Sequence, residues 1–197
     1  MANGTTRDER TQSAARYDGQ VPITERICDE VLTETFSTDR PAVEAEYPRA
    51  SYGSAAEAWA AIMTDRKWTC TQYGTPRKLA RYTPFYQYEF ADPAPPPMWA
   101  GPPPMLMGAY HTSDVWSLFD LGGMPSPFTP EQQRLADQII DYWTSFAGFG
   151  DPAEAGGTDW PRFRADGNPP HTQALAPGGI GPVDLAAEHH CDFWAGR

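Results

Sequence analysis

Seven of the fourteen residues from Ala91 to Pro104 are proline, and this run limits the fold more than any other stretch. Proline has no amide hydrogen to give to a helix or a central strand, so the segment must be a loop. It follows FYQYEF at 85–90, where aromatic and polar residues alternate as a strand requires. It leads into LMGAYHTSDVWSLF at 106–119, where His111 stands in a Gly-flanked apolar setting that the other three histidines lack. A histidine placed there can serve as acid or base near neutral pH. The alternative is a structural histidine capping a helix that starts at Thr112.

Other elements follow from local signals. Ile23, Ile27, Val31, Leu32 and Phe36 recur at helical spacing, with Thr24-Glu25 as the cap. Ser54 to Thr64 is an Ala-rich helix with Ser54 at the N-cap and Glu57 at the capping-box position, closed by Asp65 to Cys70. Pro76 to Tyr82 reads as a short helix, basic on its outer face through Arg77, Lys78 and Arg81. The longest helix begins at Thr129-Pro130-Glu131, carries Leu135, Ile139, Tyr142, Trp143 and Phe146 on one face, and stops within Gly148 to Pro152. A last helix is expected from Leu185 to Trp194. Met1 to Gly4 reads as the end of a strand and Thr172 to Leu175 as a brief one, while WPRF at 160–163 is extended and GGMPSPF at 122–128 is a turn region. No internal repeat or domain boundary is visible.

Seven Trp, nine Tyr and nine Phe supply burial that disordered chains lack, so the 21 prolines and 17 glycines point to a loop-rich folded protein. A net charge of −11 argues against nucleic acid and against anionic membrane surfaces. No run of 18 apolar residues is present to span a bilayer. The opening MANGTTRDER has no apolar signal-peptide region, which implies a cytoplasmic protein or a chain lacking its original N-terminus. Cys28, Cys70 and Cys191 allow one disulfide at most, and composition does not choose the pairing.

Asp8 and Glu9 can supply a carboxylate that orients His111, as in a nucleophile–histidine–acid triad, or they can belong to a solvated turn. The nucleophile is absent. No G-x-S-x-G occurs, and RASYG at 49–53 has lost the first glycine and the preceding strand that an elbow at Ser51 requires. Ser113 is spaced from His111 for a local hydrogen bond, and no HGGG-type oxyanion run is present. His189-His190-Cys191-Asp192 has adjacent ligand types but no second cluster at zinc spacing, and GGIG at 178–181 lacks the features of a phosphate loop. Trp99, Trp116 and Phe119 either line a pocket near His111 or belong to the core.

Taken in order, NGTTRDE at 3–9, DRKWTC at 65–70, YQYEF at 86–90, GAYHTSDV at 108–115, LADQIIDYWTSFAGFGDP at 135–152, WPRF at 160–163 and HHCDFW at 189–194 resemble one family. It is the type-B carboxylesterases, which include the cholinesterases. The resemblance is to the family's C-terminal part and covers nearly the whole chain. It implies an α/β class, the C-terminal part of an α/β-hydrolase fold, with residues 1–197 forming a single partial domain of few strands, several helices and an incomplete central sheet.

The resemblance further implies that Glu9, in the family's G-x-x-x-D-E turn, is the triad acid and that His111, in its G-x-x-H turn, is the base, with Asp8 a neighbour. It pairs Cys70 with Cys191 and leaves Cys28 free. That bridge closes a loop of about 120 residues, worth about 4–5 kcal/mol by chain entropy, and fits a secreted or extracytoplasmic protein. No metal or organic cofactor is implied. Relatives usually carry Gly where this chain has Arg10, a cation that would compete with His111 for Glu9. They usually carry Glu at Asp114 and Pro at Thr71. The family cleaves carboxylic esters through a serine. With serine elbow and oxyanion loop missing, the chain alone is expected to be inactive, and a small-molecule ester is its substrate only if an N-terminal portion completes it. A non-catalytic binding or interaction module of the same fold is the alternative. Missing central strands would leave the strands at Met1–Gly4 and Phe85–Phe90 with unpaired edges, which favour association.

Overall fold

The computed structural model describes residues 1–17, 21–99, 101–120, 128–154 and 158–197, so the turn expected over 122–128 lies outside them except for Phe128. The chain starts in β1 (Ala2–Thr6), passes a tight turn and enters α1 (Thr11–Ala15). In α2 (Glu25–Phe36) the Thr24 hydroxyl accepts the Ile27 amide, as the sequence predicts. After α3 (Arg40–Glu46) comes α4 (Ala55–Thr64), where the Ser54 hydroxyl accepts the Glu57 amide. The Glu57 carboxylate turns back one residue further than a capping box requires, accepting from the Gly53 amide at 3.1 Å.

The next expectation fails. The helical chain does not close at Cys70 but widens into a π-turn at Asp65–Thr69 and continues as α5 (Cys70–Leu79), with Pro76 inside it. Tertiary packing overrides the proline: Tyr73 sits with Phe85, Phe163, Leu185 and Cys191 in one buried cluster. β2 (Tyr86–Phe90) follows, and no helix or strand occurs among the described residues of the proline-rich loop. Thr112 begins a short 3₁₀ turn at Ser113–Ser117 in place of the expected helix.

α6 (Pro130–Phe149) carries the complete capping box, Thr129 and Gln132 each bonding the other's backbone amide, with Pro130 in the first turn. β3 (Thr172–Ala176) and β4 (Gly179–Val183) form a hairpin across Pro177-Gly178. β4 has no signal in the sequence, because GIGPV lacks the side chains that mark a strand. The final helix is two, α7 (Leu185–Glu188) and α8 (Cys191–Trp194), broken where His190 takes a left-handed φ of 52°.

The sheet order is β1-β2-β3-β4, with the first three strands parallel and β4 antiparallel. β2 is therefore interior and its edges are both paired, which corrects the expectation for 85–90. Among the described residues, β1 keeps one unpaired edge. Alternation along β2 sends Tyr86 and Phe90 into a cluster with Leu135, Ile139 and Tyr142 of α6, and Phe85 to the other face. Helices on both faces explain why Gln87 and Glu89 are buried in a segment whose pattern suggests a half-wet strand. Tyr88 lies flat against Gly4 of β1, where a Cβ would fall 2.4 Å from the ring.

Cys70 and Cys191 form a disulfide, 121 residues apart in sequence, and Cys28 is buried and free. The bridge fastens α5 to α8. Replacing both cysteines with alanine should lower unfolding stability by about 4–5 kcal/mol, read from guanidinium denaturation midpoints; an unchanged midpoint would show that loop closure contributes nothing here.

Candidate acid–base site

The turn after β1 is set by the sheet. Arg7 continues the strand by donating its amide to the Phe90 carbonyl at 2.9 Å, after which the chain reverses and presents Glu9 inward. Glu9 is buried, and its Oε1 accepts the Thr6 amide at 3.2 Å. Its other oxygen, Oε2, lies 2.6 Å from Nδ1 of His111, a residue 102 positions away. A carboxylate held out of water and bonded on both oxygens cannot wander, so it fixes the ring it touches.

His111 is carried by the loop that the prolines stiffen. Buried Tyr110 donates its hydroxyl to the Pro96 carbonyl, and Trp116 donates its indole N–H to that hydroxyl at 3.3 Å. The His111 side chain remains 49% exposed, with Trp68 edge-on at 5.7 Å between ring centroids. Nε2 has no hydrogen-bond partner among the described residues. With Glu9 ionised, Nδ1 carries the hydrogen and Nε2 presents a lone pair, so the pair can accept a proton at Nε2 while the carboxylate stabilises the imidazolium. Asp114 sits close by. Burial pushes its carboxyl above the ordinary range and the Glu9 charge adds to this, against backbone hydrogen bonds.

Residues 4–194 match the carboxylesterase family. The chain belongs to that family. A fatty acyl-CoA hydrolase precursor, medium chain, from Anas platyrhynchos is 31% identical over 83 residues, a match that spans 42% of this chain and 14% of that protein.

The remaining candidates of this carboxylesterase-family chain find different places. Asp8 does not touch His111; its carboxylate accepts the Ala109 amide at 2.8 Å and pairs with Arg7. Arg10 does not take the Glu9 carboxylate: its backbone amide donates to Thr64 Oγ1, and its Nε is buried without a hydrogen bond among the described residues. Ser51 is exposed on a short 3₁₀ turn and the Ser113 hydroxyl is buried without a partner, so neither is bonded to His111. Trp116 is core, Trp99 packs on Tyr110, and Phe119 is exposed. GGIG lies in the β3–β4 hairpin.

The partners of His189 are not visible in the sequence because they lie 100 and 124 residues away. Its Nδ1 lies 2.6 Å from Asp65 and its Nε2 2.6 Å from Glu89, all three buried. Asp65 also accepts the Tyr47 hydroxyl at 2.7 Å, and Trp194 donates to Tyr47. No cluster able to hold a metal is present among the described residues. Burial alone would push His189 down, but the bonds and charges of Asp65 and Glu89 overcome it and raise it to about 10.

A folded value raised from 6.5 to about 10 gives stabilisation that is complete below the lower figure and is lost as pH climbs through the upper one. The thermal midpoint of this carboxylesterase-family chain should fall between pH 7 and 10, and His189→Gln should flatten that fall. A wild-type profile level across the window would mean that His189 is neutral in the fold.

Proposed function

We propose that this chain carries the acid and the base of a serine carboxylic-ester hydrolase and forms the C-terminal portion of such an enzyme. The observation that supports this most is the 2.6 Å contact between buried Glu9 and Nδ1 of half-exposed His111, which leaves Nε2 without a hydrogen-bond partner among the described residues. In this reading, a serine hydroxyl attacks the ester carbonyl as Nε2 takes its proton. Nε2 then returns that proton to the departing alkoxide, and Glu9 holds the imidazolium between the two events. Water repeats the sequence to release the acid. The substrate is a small-molecule ester, and serine and oxyanion donors come from an N-terminal portion. The Anas platyrhynchos relative is named a hydrolase of fatty acyl-CoA, which supports the same hydrolytic class and leaves the ester open.

The Cys70–Cys191 bridge supports an extracytoplasmic location. The open edge of β1 supports a second reading, a non-catalytic module that associates through that edge. A half-exposed imidazole backed by a buried carboxylate favours catalysis over it.

The 197-residue chain alone should hydrolyse a p-nitrophenyl ester no faster than its His111→Ala variant. Turnover by the lone chain that His111→Ala abolishes would overturn the proposed division. Joined behind the N-terminal portion of a carboxylesterase that carries G-x-S-x-G, the chain should gain turnover, and His111→Ala should reduce kcat by about 10³-fold or more. A chimera indifferent to His111 would favour the module.

A further inference from the structure

We infer that Asp8 is a positioning residue for this acid–base pair, clasping the Glu9 turn to the His111 loop through the backbone of Ala109; the inference rests on the proposed roles of Glu9 and His111.

Glu9 and His111 reach each other from two separate loops, and no continuous strand or helix spans both. What joins the loops is a reciprocal pair of bonds between two residues. The Asp8 amide donates to the Ala109 carbonyl at 3.0 Å, and the Ala109 amide donates to Asp8 Oδ2 at 2.8 Å. A third tie lies beside them, where the Thr11 hydroxyl shares its one hydrogen between the carbonyls of Asp8 at 2.8 Å and Met107 at 2.7 Å. Arg7 holds the same Asp8 oxygen, with Nε and a terminal nitrogen each 3.1 Å away. Arg7 and Ala109 thus hold one and the same oxygen of the carboxylate.

The clasp demands a particular neighbour. Gly108 has φ +55°, and a Cβ there would fall 2.1 Å from Asp8 Oδ2 and 2.6 Å from its Cγ. Any side chain at 108 would expel the carboxylate, so Asp8 and Gly108 act as one device. Glu9 follows Asp8 directly and His111 lies two residues beyond Ala109. A shift of the clasp therefore passes almost undiminished into the distance between Glu9 Oε2 and His111 Nδ1, a kind of displacement to which catalysis is steeply sensitive. Asp8 is not the acid itself, since His111 Nδ1 is bonded to Glu9 and the Asp8 carboxylate is turned to Ala109 and Arg7.

The test reads geometry and needs no turnover. An imidazole N–H bonded to a carboxylate gives a proton NMR signal well downfield of the amide region. In the full chain the His111 signal is assigned by its loss in His111→Gln, and those of His189 and His190, bonded to Asp65 or Glu89 and to Glu46, report an intact fold. Asp8→Ala and Gly108→Ala should each abolish the His111 signal by exchange broadening while the His189 signals stay. Asp8→Asn should restore it, because an amide oxygen can still accept from Ala109. A sharp His111 signal in Asp8→Ala would overturn the proposal, as would its loss in Asp8→Asn with His189 intact. If Asp8→Ala does not fold, Asp8→Asn and Gly108→Ala decide by the same criteria. Should Glu9→Gln leave the His111 signal unchanged, the acid–base reading fails, which is distinguishable from failure of the clasp alone.

Discussion

One buried histidine holds together parts of the chain that belong to different elements. His189 takes a carboxylate on each ring nitrogen, one from the π-turn after α4 and one from the interior of β2. Each of those acids would be costly to bury unpaired. Placing the imidazole between them offsets the cost for both and fixes the C-terminal segment against the sheet. The disulfide reinforces the same junction, with Cys191 two residues past His189 and Cys70 five past Asp65. Covalent and ionic restraints thus converge where α5, β2 and the last two helices meet.

That junction supports the candidate site at one remove. β1 and β2 run parallel and in register, so their carboxyl ends lie side by side. Glu9 lies in the turn after β1 and His111 in the loop that eventually follows β2. Carboxyl ends are where parallel sheets collect ligand-binding loops. Trp68, on the π-turn that supplies Asp65, reaches the His111 ring from the side. The core junction and the acid–base pair therefore share one structural element.

The parts of this arrangement legible in the sequence were those written in local signals or carried by the family's motifs. Thr24, Ser54 and Thr129 announced their helices because capping is decided within three residues. FYQYEF announced β2 by alternation. What escaped was set by distant contacts. Pro76 reads as a helix start, yet packing of Tyr73 and the bridge at Cys70 carry the helix through it. β4 is held by its pairing with β3, since its own residues favour no strand. At the site, His111 stood out by its setting and Asp8 and Glu9 were both candidate acids, the resemblance chose Glu9 and made Asp8 a neighbour, and the partner of Asp8 stayed hidden because it is a backbone amide about a hundred residues away. Gly108 was the available signal, a glycine whose need becomes visible only once Asp8 is placed opposite it.

The π-turn at Asp65–Thr69 sets a strict length on the chain around it. Such a turn holds one residue more than an α-helical turn of the same rise. The extra residue is wound in without changing the phase between α4 and α5, so removing one would regularise the helix and leave its two ends nearly as they were. What would change lies inside the turn, where Asp65 reaches His189 and Trp68 meets the His111 ring. The widened turn lets one short stretch present both side chains at angles an unbroken α-helix would not give, so its length is tied to those two contacts.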